Sequence, residues 1–272
     1  MRTLIAAAAA LWLSFSVAYA ADPPTDPLKS VMWGQMYERH FSDRPVVFDD
    51  KVSVIAPKLA EDQTAIPVTV DASALAGVRE IVVITDLNPI QKVLSYEPVQ
   101  AKPYITFRFK AEQGTPVRAA ALTEDGVWHI GGVYVDAAGG GCTSPALAHG
   151  KPDWVSRLAE VRAKVWRTPG QSAARLRLRV QHPMDTGLAD GIPAFFVERL
   201  EIQGTGGKVL GKVRIYEPVS ENPTLTLMPN LGPADDRVIV KGRDNEGNTI
   251  DAVVPVGVRA SALDTGRDRA TR

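Results

Sequence analysis

Tyr96-Glu97-Pro98-Val99 returns as Tyr216-Glu217-Pro218-Val219, and between them lies a run, Ile105-Thr106-Phe107-Arg108-Phe109-Lys110, that alternates apolar and polar side chains. Period-two alternation puts Ile105, Phe107 and Phe109 on a buried face of a strand and Thr106, Arg108 and Lys110 on a solvated one. Leu176, Leu178 and Val180 alternate with Arg175, Arg177 and Arg179 in the same way. At the offset of 120 set by the first repeat, Pro103 meets Pro223 and Thr106 meets Thr226. Glu124-Asp125-Gly126 has a counterpart turn in Asn245-Glu246-Gly247. Upstream, Pro57 and Ile66-Pro67 pair with Pro183 and Ile192-Pro193 at an offset of 126. Offsets that drift so little over most of a chain predict two copies of one unit of about 100 residues. Short strands between Gly, Pro, Asn and Asp favour sandwiches over an α/β fold. The expected fold is therefore all-β: two immunoglobulin-like β-sandwich domains in tandem, joined by a linker with a short helix.

Two segments depart from the β pattern. Asp26-Pro27 reads as an N-cap and first-turn pair, with Leu28, Met32 and Met36 spaced for a helix to about His40. From Asp153, the residues Trp154, Leu158, Val161 and Val165 fall at i, i+4, i+7 and i+11, and Thr168-Pro169-Gly170 stops the run. This predicts an amphipathic linker helix that covers an edge or end of a core, with Trp154 and Trp166 as core anchors.

The chain opens with Arg2, an apolar stretch from Leu4 to Val17, and Ala18-Tyr19-Ala20, the pattern of a secretory signal peptide over residues 1–20. The stretch is too short for a membrane span, and no cysteine follows the cleavage site to carry a lipid, so a periplasmic chain without a stable membrane anchor is expected. Lys plus Arg and Asp plus Glu both number 31. A near-neutral chain with no basic block offers no footing for nucleic acid or for a polybasic membrane contact. The polar tail from Arg259 to Arg272 reads as disordered.

Cys142 is the only cysteine, and it ends Asp136-Ala137-Ala138-Gly139-Gly140-Gly141-Cys142 directly after a predicted strand. A single cysteine in an oxidising compartment pairs between chains or serves as a free thiol. A buried structural cysteine sits in an apolar run; this one follows three glycines, which free the backbone to thread a narrow slot. Such freedom suits a carrier and works against the fixed geometry a catalytic nucleophile needs. No Lys or Arg lies nearby in sequence to stabilise a thiolate, so activation is expected from a partner.

These residues resemble the SoxYZ sulfur-carrier family. Residues 26–145, ending in Gly139-Gly140-Gly141-Cys142, look like SoxY; 146–170 form the linker with its amphipathic helix; 171–258 look like SoxZ, with His182-Pro183-Met184-Asp185-Thr186-Gly187 similar to its His-Pro-Met-Glu-Thr-Gly segment, and 259–272 form the tail. Both partners fused in one exported chain resemble the SoxYZ-like carriers named for their association with quinoprotein dehydrogenases. The resemblance implies a non-enzymatic carrier with Cys142 as the carrier cysteine and Gly139, Gly140 and Gly141 as its flexible arm. It also implies a covalent sulfur adduct in place of a cofactor, and periplasmic redox enzymes, a quinoprotein dehydrogenase among them, as partners. Unlike the usual SoxY ending, this chain continues through Thr143-Ser144-Pro145, so the arm is tethered at both ends.

Other readings compete. Cys142 and His149 could hold copper, although such sites need a second histidine and usually an axial methionine. A cysteine hydrolase would need one of His40, His129, His149 or His182 as base, and none has a recognisable nucleophile context. A structural adaptor could link two copies through Cys142. His182 before Pro183 reads first as a turn element with a satisfied imidazole, and Glu97 and Glu217 as shared structure of a duplicated fold.

Overall fold

The structure is a computed structural model that describes residues 22–167 and 173–258. The expected signal peptide, the Thr168-Pro169-Gly170 stop and the tail from 259 lie outside the described residues. The first half contributes α1 (Trp33–His40), β1 (Val46–Phe48), β2 (Ser53–Ile55), β3 (Ile66–Asp71), β4 (Val78–Thr85), β5 (Lys92–Glu97), β6 (Ala101–Phe109), β7 (Thr115–Thr123) and β8 (Trp128–Val135). The second contributes β9 (Val161–Arg167), β10 (Arg175–Val180), β11 (Asp185–Thr186), β12 (Ala194–Phe195), β13 (Val197–Gln203), β14 (Val209–Ile215), β15 (Thr224–Pro229), β16 (Arg237–Asp244) and β17 (Thr249–Val258). The chain is the all-β tandem of immunoglobulin-like domains that the repeat predicts.

Fifteen strands form two layers, and β11 and β12 pair apart from them. One runs β1-β8-β7-β4-β5-β14-β13-β16-β17 and the other β9-β10-β15-β6-β3-β2, with a parallel β17–β9 pair joining them at one end. Both layers cross between the halves without a break, through the antiparallel pairs β5–β14 and β6–β15. These are equivalent strands of the repeat. Thr106 sits opposite Thr226, while Leu94 faces Ile215 and Ser95 faces Arg214, the reciprocal pairing of a local twofold axis. One buried core therefore spans both halves, in which Tyr96 and Phe107 of the first join Leu178, Val213 and Val240 of the second. The two Gly-ended turns are equivalent as well: Gly126 N–H donates to Thr123 O at 3.0 Å between β7 and β8, and Gly247 N–H to Asp244 O at 3.3 Å between β16 and β17.

Three expectations need correction. Ile66-Pro67 opens β3, whereas Ile192-Pro193 lies in the loop before β12; the partner of β3 in the repeat is β10, because these strands pair with β6 and β15 respectively. Shared turn residues matched where register did not. The predicted linker helix is absent: Leu147–Gly150 and Val155–Arg157 are isolated 3-10 turns, and Val161–Arg167 is β9. Val161 and Val165 fit both periods, but Ala163 between them and exposed Arg162 and Lys164 follow the period of two. Pairing of Val165 with Leu176 and Ala163 with Leu178 then fixes the strand. The second domain thus starts with β9, ahead of the 171 boundary, and Trp154 and Trp166 are half-buried rather than core anchors.

Third, α1 starts at Trp33 and not behind Asp26. The Asp26 carboxylate accepts from Leu28 N–H at 3.1 Å and Ser30 N–H at 2.7 Å, closing a turn of its own. α1 lays Trp33, Met36 and Tyr37 on the outer face of the first layer, against Val82, Ile84, Ala120 and Ile130. Within that contact, buried Arg118 donates to both oxygens of Asp86 at 2.9–3.1 Å and to Asp26 at 2.7–2.8 Å, with the Trp33 ring 4.7 Å away. Burial pushes the Asp26 carboxyl up, but Arg118 and the two N–H groups outweigh it and hold the group below the usual carboxylate range.

Candidate functional site

After β8 the chain is pinned at Asp136, whose N–H donates to Lys58 O and whose O accepts from Ala60 N–H, both at 2.8 Å. The glycines then run beside Ala111-Glu112. Gly140 N–H donates to Glu112 O at 3.3 Å and Gly141 N–H to Ala111 O at 3.0 Å. Gly139 has φ +108°, and a Cβ at Gly141 would lie 2.2 Å from Gln63 O and 2.5 Å from Ala111 O. The glycines read as a flexible arm are, in this structure, what lets the segment dock.

Docking buries Cys142 to 1% exposure. Its N–H donates to Glu112 Oε2 at 3.0 Å, the Thr143 N–H donates to the same oxygen at 3.2 Å, and the thiol donates to Lys110 O at 3.4 Å. Thr186 Oγ1 donates to Cys142 O at 2.5 Å. Burial, with the Glu112 carboxylate adding to it and Lys110 opposing, pushes the thiol up to about 12. A docked Cys142 is therefore protonated at neutral pH, hydrogen-bonded and shielded.

The second half closes the dock with the His182–Gly187 segment. The buried Lys110 ammonium donates to Met184 O; burial pulls its pKa down, against the charges of Asp185 and Glu221. Asp185 faces His149 Nε2 at 2.9–3.0 Å. His182 Nδ1 accepts the Met184 N–H at 3.1 Å, which requires a neutral ring, and the residue's backbone is tied to Asn222. Burial drives the His182 pKa down to about 4, although Asp244 and Asp185 resist. Stability from such a depressed group is present above pH 6.5 and is lost as pH falls toward 4. An NMR titration of the imidazole is expected to place its midpoint near 4; a midpoint at 6.5 would contradict the neutral, packed ring.

Cys142, Gly139–Gly141 and the His-Pro-Met segment, read separately from the sequence, thus meet in one place. His149 does not join them as a metal partner, because its Nε2 is turned to Asp185. His40 ends α1, and His129 Nδ1 pairs with Asp49 at 2.8 Å. Among the described residues no group of three or more His, Cys, Asp or Glu is placed to hold a metal ion. Glu97 pairs across the joint with Lys212 at 3.9 Å, as shared structure. Sequence reasoning missed Lys110, Glu112 and Asn88. Lys110 was placed on a solvated strand face, yet it follows β6 and is 3% exposed. Asn88 donates to Lys110 O at 2.8 Å and accepts from Glu112 N–H at 2.9 Å, fixing the two groups that hold the cysteine.

Two immunoglobulin-like domains that close jointly over one glycine-led thiol, with no base bonded to it among the described residues, define a two-domain thiol-bearing protein. Residues 37–142 match the family model of the sulfur oxidation protein SoxY, and 165–255 that of the sulphur oxidation protein SoxZ, so the chain belongs to the SoxYZ family as a fused form. The first match ends on Cys142, and the second starts inside β9. No curated protein matches the chain. Among solved structures, the sulfur carrier protein SoxY from Chlorobium limicola f thiosulfatophilum is similar at 21% identity and a TM-score of 0.34, over 38% of this chain and 87% of that one.

Proposed function

We propose that this protein is an exported, non-enzymatic carrier that holds a sulfur-containing group covalently on Cys142 and passes it between periplasmic oxidoreductases, a quinoprotein dehydrogenase system among them. The observation that carries the reading is the dock: SoxY-like and SoxZ-like halves together enclose the one cysteine, at the end of a glycine run. The family assignment supports a sulfur-carrier role. The signal-peptide pattern supports export, and among the described residues no helix is long and apolar enough to cross a membrane.

Loading needs the thiol out of its dock and ionised. Its thiolate attacks the outer sulfur of a partner's persulfide; a new S–S bond forms on Cys142, the partner's S–S bond breaks, and the partner thiolate leaves. The proton lost by Cys142 ends on that thiolate, and no external oxidant is consumed. Protein purified without reductant from its native host, grown while oxidising sulfur compounds, is expected to carry extra mass that reduction removes and Cys142→Ser lacks. A Cys142 that carries no mass beyond its own overturns the reading.

A further inference from the structure

The outer face of the second layer carries a block of opposed cations on β9 and β10. β9 presents Arg162 and Lys164, β10 presents Arg177 and Arg179, and all four are exposed. The register sets Arg177 directly opposite Lys164 and Arg179 opposite Arg162, while on its other side β10 faces Thr226 and Thr224. Like charges directly opposed across a strand pair are destabilising. Arg108 of β6 and Trp166 share the same shallow groove. Among the described residues, the one carboxylate paired with this set is Glu160, which holds Arg162 at 3.0 Å.

The outer face of the other layer in the same half also opposes cations, Arg199 against Arg214 and Arg243, but it sets carboxylates among them. Glu201 lies between Lys212 and Lys241, Lys241 faces Asp251, and Arg243 is paired with Glu198 at 2.7 Å. The β9–β10 ladder has no carboxylate interleaved in this way. The chain's own tail is no remedy, since residues 259–272 hold four Arg against two Asp.

We propose that this face, centred on Lys164, Arg177 and Arg179, is the docking surface for an acidic patch on a protein partner. The inference rests on the carrier reading, because a carrier must meet a second protein beside its cysteine. The face leads there. Arg162 and Arg179 border a recess with Lys151 and Trp154 of the linker that follows Cys142, and Arg108 stands two residues before Lys110. Opposed cations would then attract the partner, raise its rate of encounter, and lose their mutual repulsion on contact. A broad face with threonines between the cations fits a folded acidic surface better than a small anion, which a closed pocket would hold.

An NMR titration of the full chain with an oligoglutamate peptide at low salt is expected to move amide signals on β9, β10 and β15. Combined Lys164→Gln, Arg177→Gln and Arg179→Gln should weaken binding about tenfold or more, and added salt should do the same. Lys212→Gln with Lys241→Gln should leave it unchanged. Shifts scattered over both faces, or equal loss in the two variants, overturn the proposal. So does displacement of the peptide from this face by phosphatidylglycerol vesicles or duplex DNA at comparable charge. Cys142→Ser is expected to bind the peptide like the parent, so an adduct-free Cys142 with selective binding would sink the carrier chemistry alone.

Discussion

Gly141→Ala is expected to raise the alkylation rate of Cys142 at neutral pH by two to three orders of magnitude. The new Cβ would stand 2.2 Å from Gln63 O and 2.5 Å from Ala111 O, both backbone atoms that cannot swing aside, so the segment must leave its dock. Undocking returns the thiol from about 12 to its ordinary 9.0, and each pKa unit is a factor of ten in thiolate, about a thousandfold in all. The measurement is iodoacetamide labelling followed by intact mass. Gly150→Ala, in open space, is the control and should label like the parent.

Linkage fixes how the difference depends on pH. Docking favours the neutral thiol, so its stabilisation is whole below pH 9 and fades as pH climbs from 9 to 12; parent and variant should converge over that range. Glu112→Gln should act in the same direction, because it weakens the bonds to the Cys142 and Thr143 N–H groups and removes a negative charge beside the sulfur. Equal labelling of parent and Gly141→Ala would mean that the dock does not control the thiol.

The second large effect belongs to stability. Arg118→Met strands two buried carboxylates, Asp26 and Asp86, whose common partner is this guanidinium. Removing one member of a buried ionic set costs about 3–5 kcal/mol, which at about 2–4 °C per kcal/mol lowers the melting temperature by about 6–20 °C. Adding Asp86→Asn to Arg118→Met should recover part of the loss. Because the Asp26 pKa is depressed, its share of the parent's stability holds above pH 3.8 and declines as acid titrates it. A thermal melt within 2 °C of the parent would show that solvent, rather than Arg118, satisfies these carboxylates.

Much of the architecture was legible because a repeated local signal cannot easily arise by chance packing. Tyr-Glu-Pro-Val and the Thr106–Thr226 match located strands that pair around the twofold joint itself. The linker misled because Val161 and Val165 satisfy two periods at once, and only the ladder with β10 chooses between them. For the site, Cys142 and the His182–Gly187 segment each stood out locally. Their meeting did not, since Lys110 bonds a carbonyl 74 residues away and Glu112 holds an N–H 30 residues away. No periodicity encodes such separations; folding of both halves creates them.

The unbroken layers have a consequence for how the protein survives dilution. Either half alone would expose two full strand edges, β5 with β6 or β14 with β15, and half of a shared core. A complex of separate chains with that interface would dissociate as its concentration fell, and its dock would open as it did. Covalent fusion makes closure intramolecular: every copy arrives with its own lid for the sulfur, at any abundance.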